Sequence, residues 1–436
     1  MIRALHELGI EAVAVYSTAD RDAQHVRMAD RAVCIGPPAA AESYLRIPNV
    51  VAAAETTGCE AVHPGYGFLA ESPAFVRACA DNHLVFIGPD ADVMEKLGDK
   101  VRAKAEMRAA GVKLVPGTDG PVGHAAVRAA AEEIGYPVLL KASAGGGGKG
   151  MRAVSRPDEL ADAFASASAE AEAAFGDGSL YLERALVPAR HVEVQVLCDA
   201  QGAVLTLGER ECSIQRRHQK LIEESPSPAL TPTTREAMEA AVERACRRVG
   251  YVNAGTFEFL LGPDGEPCFI EVNCRLQVEH PVSELTTGID IVREQIRIAA
   301  GEPLAHTGRA RRRGHAIEVR INAEDPARNF APAPGTVARF RAPLGPWVRV
   351  DTAVSDGTEI TPQYDSLIAK VIVWDETRSG AIARAERALG ELEVEGIPTT
   401  RELALDILRS GEFVGGRYST SYLAEMETRL PSLSAA

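Results

Sequence analysis

Between Gly255 and Pro281 the chain carries a pattern that few folds can hold. Thr256-Phe257-Glu258-Phe259-Leu260 reads as a strand, Gly262-Pro263-Asp264-Gly265 as a turn, and Cys268-Phe269-Ile270-Glu271 as the returning strand. Glu258 and Glu271 lie symmetrically about the turn, so an antiparallel hairpin sets them opposite each other with Cβ atoms about 5 Å apart. Two like charges so placed repel unless a cation joins them, and a divalent ion such as magnesium suits one or two carboxylates. From there Glu271, Asn273, Arg275, Gln277 and Glu279 alternate with Val272, Cys274, Leu276 and Val278. Extended, this stretch turns its polar groups to one side and its apolar groups to a core. A straight strand would also separate Glu271 from Glu279 by about 26 Å, which assigns metal binding to one end and acid–base work to the other unless the chain curls. The alternative is an ordinary half-exposed strand with solvated charges.

Upstream, Tyr136-Pro137-Val138-Leu139-Leu140-Lys141 reads as a strand, and Gly145-Gly146-Gly147-Gly148-Lys149-Gly150 follows it. Glycines let backbone N–H groups converge on an anion with no Cβ in the way, and Lys149 adds charge. The tract matches G-x-G-x-x-G only because nearly every residue is glycine. Met151-Arg152-Ala153-Val154 then reads as a strand where a dinucleotide site needs a helix. A Walker A loop is excluded too, because Gly150 stands where Ser or Thr must meet magnesium. A glycine-rich hairpin over nucleotide phosphates remains, with a plain flexible loop as the alternative. Residues 215–220, Gln-Arg-Arg-His-Gln-Lys, concentrate cations in an acidic chain, which suits anionic substrates or simply a solvated loop.

At 436 residues and 46% apolar, the chain has core enough for two or three domains. Its formal net charge of −14 argues against a nucleic-acid partner while leaving room for a locally basic cleft. No apolar run reaches the length of a membrane span and no hydrophobic signal core opens the chain, so a cytoplasmic protein with no membrane partner is expected. Eight cysteines show neither a CxxC pair nor Cys/His metal spacing and read as small buried hydrophobes.

Residues 2–8 read as a helix stopped by Gly9, residues 11–16 as a buried strand, and helix and strand alternate onward to 84–89. That pattern predicts a parallel sheet with crossover helices. Such a sheet normally opens on a strand, so an opening strand is expected to be missing. The middle of the chain holds an alanine-rich helix near 157–174 and several short strands after Tyr181. The basic run 309–313 reads as a solvated linker. Beyond it come strands at 316–321, 337–340 and 367–373 and a helix near 380–390.

His63-Pro64-Gly65-Tyr66-Gly67-Phe68-Leu69, the 145–150 loop, residues 215–220, residues 271–281 and Arg320-Ile321-Asn322-Ala323-Glu324-Asp325-Pro326 together resemble the biotin carboxylases, the ATP-grasp components of biotin-dependent carboxylases. The resemblance spans essentially the whole chain, and 271–281 is its most specific part. It implies an α/β and α+β multidomain fold. A parallel-sheet N-terminal domain would occupy 1–96, an ATP-grasp domain 97–310 with a glycine-rich lid around 113–186, and a mixed β C-terminal domain 311–436. ATP would be held by Lys100, Lys141, Gly147, Gly148, Glu183, Arg184, Ala185, Leu186, His191, Gln215 and His218. Magnesium or manganese, as two ions, would take Glu258, Glu271 and Asn273. Bicarbonate would meet Lys220, Arg275, Gln277, Val278 and Glu279, with Glu279 as its base. Arg320 would steady the ureido oxygen of carrier-bound biotin, and Tyr66 would line the biotin pocket.

The implied partners are a biotin carboxyl carrier protein or domain, a carboxyltransferase component and a second copy of the chain. No Ala-Met-Lys-Met attachment motif occurs, so the biotin would be carried elsewhere. Family members open with a strand and a glycine-containing turn ahead of the helix that starts here at Ile2, and a destabilised N-terminal domain is expected in consequence. Two rival readings remain. Another ATP-grasp ligase, for instance one like carbamoyl-phosphate synthetase, would share the glycine loop and the carboxylates but not the 271–281 string together with Arg320. An inactive fragment is the reading from a different class.

Overall fold

The computed structural model describes residues 1–143 and 150–429. Near the N-terminus, β1 (Val13–Ser17) pairs in parallel with β2 (Arg31–Gly36), and β3 (Ala61–Val62) pairs in parallel with β4 (Val85–Phe86). The expected parallel pairing is thus present, as two separate two-stranded units that share no ladder. Side chains join them to the rest: the opening helix Ile2–Glu7 sets Ala4 in a small core with Ile87 and Ile296. Arg31, Ala32 and Cys34 of β2 remain exposed.

β5 (Val138–Ala142), β6 (Arg152–Val154) and β7 (Leu180–Arg184) form an antiparallel sheet with β5 in the middle. β5 and β6 are the two strands expected to flank the glycine tract, whose Gly147 and Gly148 lie outside the described residues. The helix Leu160–Phe175 covers this sheet, with Phe164, Ala167 and Ala171 in one core with Leu140 and Leu182. It ends at Gly176, whose φ of 72° closes the last turn without a Cβ penalty.

The main sheet has nine strands. It contains β8 (Arg190–Cys198), β9 (Val204–Arg216), β10 (Gln219–Ser225), β11 (Asn253–Leu261), β12 (Pro267–Asn273), β13 (Gly308–Arg309) and β14 (His315–Asn322), together with the strands Val348–Thr352 and Leu367–Asp375. Its path is β12-β11-β8-β9-β10-β14 and then the last two, all antiparallel, with β13 added in parallel to β9. One ladder therefore crosses from the central part of the chain into the C-terminal part.

Period-two alternation decides what each face holds. Val192, Val194 and Val196 of β8 and Phe257 and Phe259 of β11 enter one core with Met107 and Val242. Ile317, Val319 and Ile321 of β14 enter another with Val371, Leu389 and Leu408. The alternate residues are Glu193, Gln195, Glu258, Glu318 and Arg320, and all but Arg320 are buried. The helix His280–Thr287 packs on β9, β10 and β14 and shields this polar side from water.

The basic run is solvated at Arg309, Arg311 and Arg313, as its composition suggests, but Arg312 is half-buried. Arg309 lies on β13 and reaches Glu239, Arg312 bonds both Glu209 and Glu239, and Arg313 stays at the surface beside Glu376. Two buried acids need cations, and the linker supplies them. Six of the cysteines are buried as expected, while Cys34 is exposed and Cys59 half-buried. Among the described residues, no helix is long and apolar enough to cross a membrane.

A two-stranded unit is marginal on its own, and the nine-stranded sheet is not. Amides of β1–β4 are therefore expected to exchange about a hundredfold faster than those of β8, β9 and β11, a gap of ~2.8 kcal/mol in opening free energy. Hydrogen exchange followed by mass spectrometry checks this, and equal protection would show that side-chain packing alone stabilises the N-terminal units fully.

Candidate active site

β11 and β12 place Glu258 directly opposite Glu271, the register that symmetry about the turn predicts. A bulge just beyond this pair shifts the ladder by one toward the turn, so that Phe259 faces Phe269. The alternating stretch does not stay extended. β12 ends at Asn273, and the chain turns through 274–279 before the helix His280–Thr287. Asn273, Gln277 and Glu279 are buried rather than displayed on an open face, and Glu271 stays exposed. The turn is fixed by Glu71, which accepts from the Cys274 backbone and from Arg275 Nε, both at 2.9 Å. Because the chain curls, Glu279 returns to the carboxylate hairpin, and the separation of about 26 Å for a straight strand never arises.

The return is made by Lys220. Its Nζ donates to Glu193 Oε2 at 2.6 Å, to Glu279 Oε1 at 2.6 Å and to Glu258 Oε1 at 3.1 Å. Burial opposes its charge, yet Glu193, Glu258 and Glu279 hold the ammonium well above the ordinary lysine value. Glu279 gives its other oxygen to Arg320 Nη2 at 2.9 Å. Burial pushes Glu279 up, but Lys220, Arg320 and Arg210 outweigh it and hold the carboxyl well below the usual range. Glu258 is held down in the same way, against burial, by Lys220 and His191, whose Nε2 lies 2.9 Å from Oε2. Asn273 Nδ2 and Gln277 Nε2 each add a bond of 2.8 Å to Glu258 Oε1.

Beneath this cluster lies Arg210, fully buried. It donates to Glu193 and Gln195 at 2.6 Å, to Gln277 at 2.8 Å, and to Thr256 and Ser283 at 3.1 Å. Gln277, expected to meet a substrate, is thus engaged at both ends of its amide.

A second group of cations flanks the first. Lys104 and Lys141 both pair with the buried Glu183, and Lys100 Nζ donates to the Ala142 carbonyl at 3.3 Å. Burial lowers the Lys100 ammonium against the opposing pull of Glu271. Lys141 stands on β5, the strand that precedes the glycine tract in the chain, and Lys100 and Lys104 stand on the helix Lys100–Ala109.

The remaining expected residues scatter more widely. Gln215 is buried opposite Lys220 across the β9–β10 hairpin, and His218 is exposed at its tip with φ 67°. Arg184 is exposed, with its backbone N–H on the Pro116 carbonyl, while the Ala185 N–H goes to Pro137 and Leu186 lies beside Gly262. The Val278 carbonyl accepts from Lys370 Nζ at 2.6 Å. Arg275 turns toward Glu71 and Asn273 Oδ1 rather than toward Glu279. Tyr66 is exposed and lines a cavity of about 1180 Å3 with His63, Asp351 and Lys370, a space that neither Lys220 nor Arg320 borders.

Sequence reasoning missed Glu193, Arg210, Glu223, Lys104 and Glu71. A signal existed for Glu193 and Gln195, since residues 191–196 alternate polar and apolar in the manner of 271–279. Arg210 and Glu223 sit in strands with no such contrast, so only the folded sheet reveals them.

A divalent ion would take oxygens from Glu258, Glu271 and Asn273, a hard donor set that suits magnesium. Lys220, Asn273 and Gln277 all donate to Glu258 Oε1, so Oε2, with only His191 Nε2 beside it at 2.9 Å, is the oxygen left for an ion. Among the described residues, two clusters gather three ligating atoms within 4.8 Å, His191–Glu193–Glu258 and Glu193–Cys212–Glu279, and Glu271 belongs to neither.

Comparison with known proteins settles the family. Three family models tile the chain: the biotin carboxylase N-terminal domain on residues 1–94, the carbamoyl-phosphate synthase L chain ATP-binding domain on 99–307, and the biotin carboxylase C-terminal domain on 318–425. A biotin carboxylase of Nostoc sp. is 51% identical over 98% of this chain and 96% of its own length. The chain belongs to the biotin carboxylase family. These enzymes are ATP-dependent ligases that carboxylate, and so is this chain. A pyruvate carboxylase subunit from Methanothermobacter thermautotrophicus is 50% identical over 98% of this chain and 87% of its own. Among solved structures, the biotin carboxylase domain dimer of Hydrogenobacter thermophilus 2-oxoglutarate carboxylase, complexed with MgADP, ADP and bicarbonate, matches with a TM-score of 0.95 at 48% identity. It covers all of this chain and 95% of that one.

In this biotin carboxylase fold, replacing Arg210 by Met would leave Glu193 and Gln277 buried with unmet oxygens. A loss of about 3–5 kcal/mol is expected, read as a lower denaturant midpoint. Adding Glu193→Gln is expected to recover part of it, because the two residues share one network. Full additivity of the two losses would mean that they act independently.

Proposed function

We propose that this chain carries out the first half-reaction of an acetyl-CoA or acyl-CoA carboxylase, moving a carboxyl group from bicarbonate to carrier-linked biotin with cleavage of ATP. The observation that carries the reading is the convergence on Lys220, which joins the hairpin carboxylate Glu258 to Glu279, with Arg320 on the far oxygen of Glu279. Lys100, Lys141 and Lys104 would hold the ATP phosphates, with the 145–150 tract closing over them. Glu183 to Leu186, His191, Gln215 and His218 would surround the rest of the nucleotide. Glu258, Glu271 and Asn273 would hold magnesium or manganese, which would supply positive charge to offset that of the phosphates.

Resting Glu279 is a weak base, since Lys220, Arg320 and Arg210 hold it ionised. Bicarbonate entering between Lys220, Arg275, Gln277 and Val278 would draw Lys220 toward itself and release Glu279 toward the range where a general base works. Glu279 then takes the bicarbonate proton while a bicarbonate oxygen attacks the γ-phosphorus and ADP leaves. The carboxyphosphate so formed breaks into CO2 and phosphate. The ureido nitrogen of biotin gives its proton to the phosphate just released, Arg320 holds the negative charge on the ureido oxygen, and the nitrogen bonds to the carbon of CO2. Tyr66 would border the path of the biotin arm. Water must be kept out, because carboxyphosphate hydrolyses, and the 145–150 tract would serve as the lid.

The segments 1–96, 97–310 and 311–436 serve in this reading as flanking domain, nucleotide-binding domain and biotin-side domain. The protein works in the cytoplasm as a homodimer with a carboxyl carrier and a carboxyltransferase. That one relative is named a pyruvate carboxylase subunit and one solved neighbour is the biotin carboxylase domain of a 2-oxoglutarate carboxylase supports assigning the choice of final acceptor to that second component.

The test is ATP cleavage that requires bicarbonate and is stimulated by free biotin, a pair of dependences that another ATP-grasp ligase would not show. Glu279→Gln is expected to keep thermal stabilisation by Mg-ATP and to lose at least about a hundredfold in carboxylation, within the usual contribution of a general base. Unchanged turnover in this variant would remove Glu279 from the chemistry.

A further inference from the structure

Behind Arg320 lie two acids that the mechanism above does not use. Glu223 on β10 and Glu318 on β14 are direct cross-strand partners, and both are fully buried. Partners in such a ladder have Cβ atoms about 4.5–5.5 Å apart. Glu223 Oε1 accepts from Arg320 Nε at 2.6 Å, but its Oε2 and both oxygens of Glu318 have no hydrogen-bond donor among the described residues. The nearest cation to Glu318 is Lys370, whose Nζ stays 3.9 Å from Oε2 because it is committed to the Val278 carbonyl at 2.6 Å and faces Asp351 at 3.5 Å.

The charged groups around Glu318 are therefore Glu223 from β10, Arg320 from its own strand, Lys370 from the strand Leu367–Asp375, and Glu279 from the turn before the helix His280–Thr287. Asp351 and His280 face Lys370 in turn. Two ionised carboxylates facing across a dry ladder, with three oxygens lacking donors, are unfavourable on both counts. One proton between them removes the repulsion and supplies the missing donor.

We infer that Glu318 is a positioning residue for the biotin-side arginine: it is protonated, donates to Glu223 Oε2, and so leaves Arg320 balanced between two carboxylate charges instead of three. This inference rests on the reading of Arg320 as the group that meets biotin. Burial pushes Glu318 up to about 8 and Glu223 up to about 7, in the direction the geometry requires. As pH rises through that range the proton is lost, a third negative charge draws Arg320 and Lys370 back toward Glu318, and less of the Arg320 charge is left for the ureido oxygen. Stability follows the same sign. A carboxyl raised in the folded state favours folding below its unfolded value, and that contribution is lost as pH climbs through the raised one.

Three proteins decide the matter: wild type, Glu318→Gln and Glu318→Leu, assayed with free biotin across the alkaline range. Wild type is expected to show a rising KM for biotin as pH passes about 8. Glu318→Gln, which keeps the donor and cannot ionise, is expected to match wild type near neutrality and to lose the rise. Glu318→Leu, which removes the donor, is expected to raise KM for biotin about tenfold at every pH with a smaller change in kcat. Infrared spectra should show a protonated-carboxyl band at neutral pH in wild type that is absent from Glu318→Gln. A Gln variant that behaves like the Leu variant, or a missing band, overturns the inference. Wild type without bicarbonate-dependent ATP cleavage would instead refute the proposed function, and the infrared band would still decide whether Glu318 holds its proton.

Discussion

Everything at the centre of this molecule depends on one buried ammonium. Lys220 stands where three carboxylates, Glu193, Glu258 and Glu279, would otherwise repel one another in a dry interior. Each contact gains from low polarity only because all are present together, and removing the cation would leave three charges uncompensated. Lys220 reaches that point because β10 sits between β9 and β14, with the carboxylates supplied by β8, by β11 and by the turn ahead of the helix His280–Thr287.

The sheet explains how so many charges can be kept from water. On β8, β11 and β14 the apolar alternation fills one core face, and the polar alternation is left on the other. In an open antiparallel sheet that second face would be solvated. Here a helix and a turn cover it, so each polar group must find its partner within the protein. Arg210, with five bonds, is the extreme case. The result is a preorganised polar layer in which substrate anions would replace partners that are already in place, which lessens reorganisation during reaction.

Parts of this are legible in the residues alone. The turn Gly262–Gly265 and the symmetric spacing of its flanking strands are enough to pair Glu258 with Glu271, because antiparallel register follows from counting. The strands on either side of the glycine tract are legible for the same reason. The alternation after Glu271 correctly marks a boundary between two kinds of side chain, but it does not make a straight element. Period two reports which residues differ, and it does not report what Glu71, two hundred positions away in the chain, will do to the Cys274 backbone. The basic run 309–313 misleads at one residue, since Arg312 looks solvated until Glu209 and Glu239 are seen beneath it.

The amino-acid sequence by itself determined the family and the hairpin register, because these follow from local spacing and residue type. Tertiary structure alone decided which charges meet: that Lys220 joins Glu279 to Glu258 of the hairpin, that Arg210 lies under them, and that Glu318 faces Glu223 with no donor among the described residues. Ion pairing at short range depends on the packing of strands far apart in the chain, and the energy of each pair depends on how much water that packing removes.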